Sequence, residues 1–172
     1  MHRRRAAFSL ATLAATVALA PLAGCGFRLR QAPDFAFKSI YVSGSPNSSF
    51  AAELRRNLEA GTGLRVSRDL LERDTSDVIL SILQDQRERV VLGYNSTGQV
   101  REFQLRVRVR FSLATPDGRE ILPSTELLLQ QDQSYDETLA LAKEQEAQLI
   151  YRNLQTDVVR QILRRLAAIR QI

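Results

Sequence analysis

Cys25 is the only thiol in the 172-residue chain, and the residues before it set its chemistry. His2 and Arg3-Arg4-Arg5 open the chain, and Ala6 to Ala20 is an uncharged apolar run that Pro21 ends. Leu22-Ala23-Gly24 then lead into Cys25. A basic start, an apolar stretch of roughly 7–15 residues and a small-residue exit make an export signal. A membrane-crossing helix needs roughly 20 apolar residues, more than this run supplies. The pattern predicts a cleaved signal over residues 1–24 and one mature domain, residues 25–172.

Leu22-Ala23-Gly24-Cys25 resembles the lipobox of bacterial lipoproteins. That resemblance implies a diacylglycerol on the Cys25 sulfur, cleavage before Cys25, and acylation of the amine so freed. The nine residues from Gly26 to Asp34 are a short tether, so the domain is expected close to its membrane.

The other reactive side chains argue against catalysis. His2 is the only histidine and departs with the signal. A mature domain without histidine or free thiol excludes Ser-His-Asp and Cys-His catalysis and the usual zinc ligand sets. Lys38 and Lys143 carry the only lysine amines, and neither has a serine three residues earlier, which removes a Ser-x-x-Lys nucleophile. Asp132 and Asp136 are spaced as a carboxylate pair but read as solvated turn residues. The expectation is a non-enzyme with no metal and no cofactor beyond the covalent lipid on Cys25. No disulfide can form within the domain, so its apolar core must hold the fold alone. The formal charge of +5 falls by three once Arg3, Arg4 and Arg5 leave, and an exported chain makes nucleic acid a poor partner.

The periodicity then assigns the scaffold. Phe37 to Ser43 reads as a strand closed by Gly44-Ser45-Pro46-Asn47. Phe50, Leu54 and Leu58 recur at helical spacing over Phe50 to Ala60, with Ser48 or Ser49 as the cap. Leu64 to Val66 starts an extended segment, and Ser67 to Asp77 is a charged loop. Val78 to Leu83 is a strand that continues through polar residues to Leu92, and Gly93 to Gly98 is a loop. Phe103, Leu105, Val107, Val109, Phe111 and Leu113 alternate with polar residues, which gives one buried and one wet face. Thr115-Pro116-Asp117-Gly118 is a tight turn. Glu120 to Gln133 is the last strand, with Leu127 and Leu129 inside and Pro123 at an edge or bulge. A long amphipathic helix follows from about Asp136, striped by Ile150, Leu154, Val158, Ile162 and Leu166. The expected fold is α+β: two helices on one face of a small mixed four-stranded sheet, in the order β-α-β-β-β-α.

Arg106, Arg108 and Arg110 share one face of the 103–113 strand. They either meet anionic groups or form a solvated face paired with acidic neighbours.

Four stretches coincide in order along nearly the whole chain. They are Cys25-Gly26-Phe27-Arg28-Leu29-Arg30, Gly98-Gln99-Val100-Arg101-Glu102-Phe103-Gln104-Leu105, Pro123 in the last strand, and Ala140-Leu141-Ala142-Lys143-Glu144. Together they resemble the LPS-assembly lipoprotein family, LptE. The resemblance implies a Gram-negative outer-membrane lipoprotein that plugs the large β-barrel LptD, aids the assembly of that barrel and helps deliver lipopolysaccharide to the cell surface. Gly26 after the anchor, rather than Asp, agrees with outer-membrane sorting. Lys143 matches the family's basic residue in Ala-Leu-Ala-Lys, which implies lipopolysaccharide contact. Many members carry a basic residue just before the glycine of the preceding loop. Here Tyr94 to Gly98 has none, and Arg101 is the nearest base. Lys143 and Arg101 are therefore the first candidates for that contact, with Arg106 and Arg108 behind them. The alternative is a free periplasmic lipid-binding lipoprotein, accessory to a phospholipid transporter.

Overall fold

The computed structural model describes residues 34–60 and 63–172. The strands are β1 (Ser39–Ser43), β2 (Arg65–Ser67), β3 (Val78–Tyr94), β4 (Val100–Ala114) and β5 (Glu120–Ser134). Helix α1 (Ser49–Glu59) joins β1 to β2, and α2 (Ala140–Ala167) follows β5. Single 3-10 turns occupy Leu70–Glu72 and Glu137–Leu139. The signal and Cys25 lie outside the described residues.

Helix α1 begins where its cap chemistry says it should. Ser48 is extended, and its hydroxyl accepts from the Ala51 N–H at 2.9 Å. Such a cap contributes about 1 kcal/mol by satisfying a donor that the first turn leaves open. Phe50, Leu54 and Leu58 are fully buried from this helix. Helix α2 buries the expected stripe of Ile150, Leu154, Val158, Ile162 and Leu166. Opposite them lie Leu105, Val107, Val109, Phe111 and Leu113 of β4, in the same apolar cluster. Burying each large aliphatic side chain contributes roughly 1.5–3 kcal/mol before the entropy of ordering it.

The sheet has five strands, not four, in the order β2-β1-β3-β4-β5. The extended segment expected from Leu64 becomes β2, paired parallel to β1 with Ser39 opposite Arg65 and Tyr41 opposite Ser67. Three residues are too few for an alternating pattern to mark a strand, so its pairing comes from topology. β1 is also parallel to β3, while β3, β4 and β5 form an antiparallel meander. Parallel crossovers are right-handed, and the steps β1 to β2 and β2 to β3 run in opposite directions across the sheet. The α1 crossover therefore covers one face and the 68–77 crossover the other. Tyr41 and Ile79, which alternate with the core residues Ile40, Val42, Val78 and Leu80, are accordingly buried, at 7% and 5% exposure.

One irregularity in β3 decides what faces the helices. Ile82 pairs with Phe111, but the next β4 residue, Arg110, pairs with Gln84, so Leu83 is an unpaired extra residue. Side chains alternate along a strand, so one extra residue moves every later side chain to the other face. Val78, Leu80 and Ile82 face the helices before this bulge. Asp85, Arg87 and Arg89 take that side after it. The polar half of β3 was legible as strand, but its inward-turned arginines were not.

The first meander turn is shorter than expected. Gly93 and Tyr94 belong to β3, and the connection is Asn95 to Gln99. The Asn95 side chain accepts from the Thr97 and Gln99 N–H groups, and Gly98 supplies the positive φ of +83°. Gly118 does the same at +90° between β4 and β5. Pro123 lies on the edge strand β5 and also at a bulge, since Phe111 pairs with Thr125 and Leu113 with Leu122.

Candidate functional site

The candidate residues fall into two places. Lys143 sits in the first turn of α2, held by the end of β5. Its Nζ donates to Ser134 Oγ at 3.2 Å and to Glu146 Oε2 at 3.0 Å, and its side chain is 18% exposed. The Gln133 amide N–H donates to the Lys143 carbonyl at 2.8 Å. Gln133 is buried, and its Oε1 has no hydrogen-bond partner. The Lys143 ammonium holds the Glu146 carboxyl below its ordinary range, through that hydrogen bond first.

Arg101 opens β4 on the same tip of the meander. Its carbonyl accepts from the Tyr135 N–H at 2.8 Å, and its side chain makes no ion pair among the described residues. A groove of about 270 Å³ runs between Gln99, Val100 and Arg101 on one side and Asp136, Glu137 and Thr138 on the other. Asp136 lies within electrostatic reach of both cations. Its carboxylate accepts from the Thr138 N–H and hydroxyl at 2.9 and 2.8 Å, and those bonds depress its pKa, aided by the charges of Arg101 and Lys143. Asp136 therefore caps the 3-10 turn that leads into α2. Asp132 is not a turn residue. It lies within β5 and accepts from the Gln104 amide at 2.8 Å.

Arg89 fastens this end of the fold. Its guanidinium lies 3.9 Å from the Phe103 ring centroid and 5.6 Å from that of Tyr135. It also pairs with Glu144 of α2 at 3.1 Å. Exposed apolar side chains rim the same tip: Leu92 and Tyr94 at the end of β3, and Leu139 and Leu141 at the entrance to α2.

Arg106 and Arg108 lie apart from this tip, on the sheet face that the helices leave open. Arg108 donates to Glu88 at 2.9 Å and to Glu126 at 2.7 Å, bridging β3 and β5 across β4. The pairing lowers the Glu88 pKa, chiefly through that hydrogen bond, and raises that of Arg108. Arg110 donates to Gln84 at 2.8 Å and lies 3.7 Å from Glu126. Arg106 donates to Gln104 at 2.7 Å and has no carboxylate partner among the described residues. Arg108 and Arg110 thus follow the paired-face alternative, and Arg106 keeps unused donors.

The arrangement can bind and dock. Among the described residues no group of three or more His, Cys, Asp or Glu could hold a metal ion, and no helix is long and apolar enough to cross a membrane. The fold defines a class: a small α+β module in which two helices pack on a long antiparallel meander with a cationic, apolar-rimmed tip. Residues 37–166 match the family described as LptE, lipopolysaccharide-assembly. The LPS-assembly lipoprotein LptE of Photorhabdus laumondii is 28% identical over 164 residues, covering 92% of this chain and 85% of that one. The solution structure of lipoprotein B from Nitrosomonas europaea superposes with a TM-score of 0.70 at 29% identity, over 83% of this chain and 91% of that one. Rare lipoprotein B from Shewanella oneidensis shares the fold, with a TM-score of 0.60 at 24% identity over 76% of this chain and 94% of that one. The chain belongs to the LptE family, Gram-negative envelope lipoproteins of lipopolysaccharide assembly that are not enzymes.

Proposed function

We propose that this chain is an outer-membrane lipoprotein that works inside an LptD-type β-barrel and aids the delivery of lipopolysaccharide. Residues 1–24 direct export and are removed, and the acylated Cys25 holds the domain on the periplasmic side. Several acyl chains on one residue give a stable anchor where a single chain gives only a marginal one. A plug for a wet barrel needs a rigid body with polar outer surfaces. The open face of the meander has that character, because Arg108 ties three strands together through Glu88 and Glu126.

The observation that carries the lipopolysaccharide part is the tip. The charges of Lys143 and Arg101 both act on Asp136, and Tyr94, Leu139 and Leu141 are exposed at the same end of the fold. Lipid A presents phosphates above acyl chains, so cations next to exposed leucines match both halves of it. Lysine serves as a point charge toward phosphate, and arginine as a bidentate donor.

The deciding experiment is purification of the tagged, lipidated chain from membranes in mild detergent. A large β-barrel should co-purify in stoichiometric amount. A chain that purifies without a barrel, yet carries phospholipid, would favour the free accessory lipoprotein instead.

A further inference from the structure

A second cationic surface lies at the other end of β3, roughly 50 Å from the Lys143 tip at about 3.3 Å per strand residue. Arg55, Arg56 and Arg68 line a groove of about 400 Å³ between α1 and the edge strand β2, with Glu59 as the one acid in its wall. Arg55 and Arg68 also line an adjoining groove of about 400 Å³, beside Asp69. Neither these three arginines nor Arg65 makes a side-chain hydrogen bond or ion pair among the described residues. Elsewhere Arg73, Arg89, Arg108 and Arg160 are each paired with a carboxylate. Like charges gathered without partners repel one another, and an external anion would relieve that repulsion.

Two apolar side chains follow the groove's Arg68 along the chain. Leu70 and Leu71 follow Arg68 and Asp69 and are 72% and 87% exposed. They are presented by a fixed turn rather than a loose loop. The Asp69 carboxylate accepts from the Leu71 N–H at 3.0 Å, and the Arg73 N–H donates to the Leu70 carbonyl at 3.3 Å. Arginines beside two projecting leucines match the phosphates and the acyl region of a lipid leaflet.

The chain's own connections say which leaflet. The Arg65 N–H donates to the Lys38 carbonyl at 2.9 Å. At the far end of the crossover, the Asp77 carboxylate accepts from the Lys38 and Ser39 N–H groups at 2.8 and 2.9 Å. Arg65 and Asp77, which flank the Arg68–Leu71 segment three residues before it and six after it, are thus both tied to residues just after the tether. Nine peptide steps from Cys25 to Asp34 reach at most about 30 Å.

We propose that Arg55, Arg56 and Arg68 with Leu70 and Leu71 form a contact surface for an anionic phospholipid leaflet, and that it seats the anchored end of the domain on the membrane. The inference rests on the reading of Cys25 as the lipid anchor, which fixes the end of the domain that meets the leaflet.

The chain contains no tryptophan, so Leu71→Trp supplies a single indole reporter. The full lipidated chain carrying this change is reconstituted into vesicles of phosphatidylethanolamine with phosphatidylglycerol, and into vesicles of phosphatidylcholine alone. Brominated acyl chains should quench the indole at position 71, roughly two-fold more in the anionic vesicles than in the neutral ones. Arg55→Glu with Arg68→Glu should abolish the excess, Arg55→Gln with Arg68→Gln should reduce it, and circular dichroism confirms that both fold. A Leu128→Trp reporter on the open sheet face should stay unquenched. Absent quenching at position 71, or quenching indifferent to the arginine changes, overturns the proposal. Quenching only when lipopolysaccharide is added to the vesicles overturns it too. The mass of the N-terminal peptide reads the Cys25 lipid separately. If that lipid is missing, vesicles added in excess still give the arginine-dependent signal or its absence, so the two failures are distinguishable.

Discussion

Arg87 of β3 reaches across the layers to Gln155 of α2, its Nη2 donating to the amide oxygen at 2.7 Å. Gln155 passes the connection on, donating to Glu53 of α1 at 2.6 Å, and Glu53 also accepts from Thr156 at 2.7 Å. One chain of polar contacts therefore joins the sheet to both helices. It exists because the Leu83 bulge turns Arg87 toward them. Ser48, the cap of α1, donates to Asp85 at 2.6 Å through the same change of face.

Gln155→Ala should cost about 1–2 kcal/mol, because it leaves Arg87 and Glu53 without their shared partner at a buried position. Urea unfolding checks this, with Gln84→Ala, on the open face, as the comparison. An equal loss at both positions would remove the clasp from the account.

Phe111→Ala should be more damaging, by about 3–5 kcal/mol, since Phe111 is fully buried in the centre of the core. The domain has neither a disulfide nor a metal centre among its described residues to compensate. The unfolding midpoint in denaturant measures it.

Asp77 makes stability depend on pH. Its carboxylate accepts from the Lys38 and Ser39 N–H groups, and the Lys38 bond is the largest cause of its lowered pKa. A carboxylate with a depressed folded pKa stabilises fully above its unfolded value, here near 3.8, and loses that contribution as pH falls through the folded value. Asp77→Asn should therefore be less stable than the native chain at pH 7. The gap should narrow as the pH is lowered from about 4 toward 2. Thermal melts at a series of pH values would show it, and a gap independent of pH would contradict it.

Lys143→Asp should weaken lipopolysaccharide binding by the purified chain more than Lys38→Asp does, with Arg101→Asp intermediate. Lys143 is already engaged with Ser134 and Glu146, so binding requires it to exchange Glu146 for a phosphate. Glu146→Gln should accordingly leave binding intact or strengthen it. Similar losses at positions 38 and 143 would return Lys143 to a purely structural role.

Bulky insertions after Ser96 and after Asp117 test which meander tip enters the barrel. Co-purification of the barrel should fall for the tip that is enclosed. A stable complex with both insertions would place the contact elsewhere.

Much of the fold was legible because its signals are strong and local. The alternation from Phe103 to Leu113 and the stripe of α2 each name their element directly, and the cap of α1 was narrowed to Ser48 or Ser49, of which the structure uses Ser48. Topology and register were less so. β2 is defined by the partner it meets rather than by its three residues, and the bulge at Leu83 leaves no mark in a run of apolar residues that ends there anyway. The candidate site was half legible. A basic residue at the start of a helix was visible, but only the fold puts Lys143 and Arg101 at the same end, where both charges act on Asp136. Arg55, Arg56 and Arg68 read as an ordinary wet surface until the α1 crossover gathered them around one groove.

The pairing of β1 with β3 across the whole of α1 and β2 has a kinetic consequence. The three long meander strands join through two tight turns, so their contacts close short loops and can form early. β1 can find its place only after β3 exists, and β2 only after β1. The meander should form the folding nucleus, and the parallel edge should dock last. Core changes in β4 would then slow folding, whereas changes in β1 would mainly speed unfolding. The edge that completes last also carries the residues joined to the tether, so the anchored end of the domain is the end whose structure matures latest.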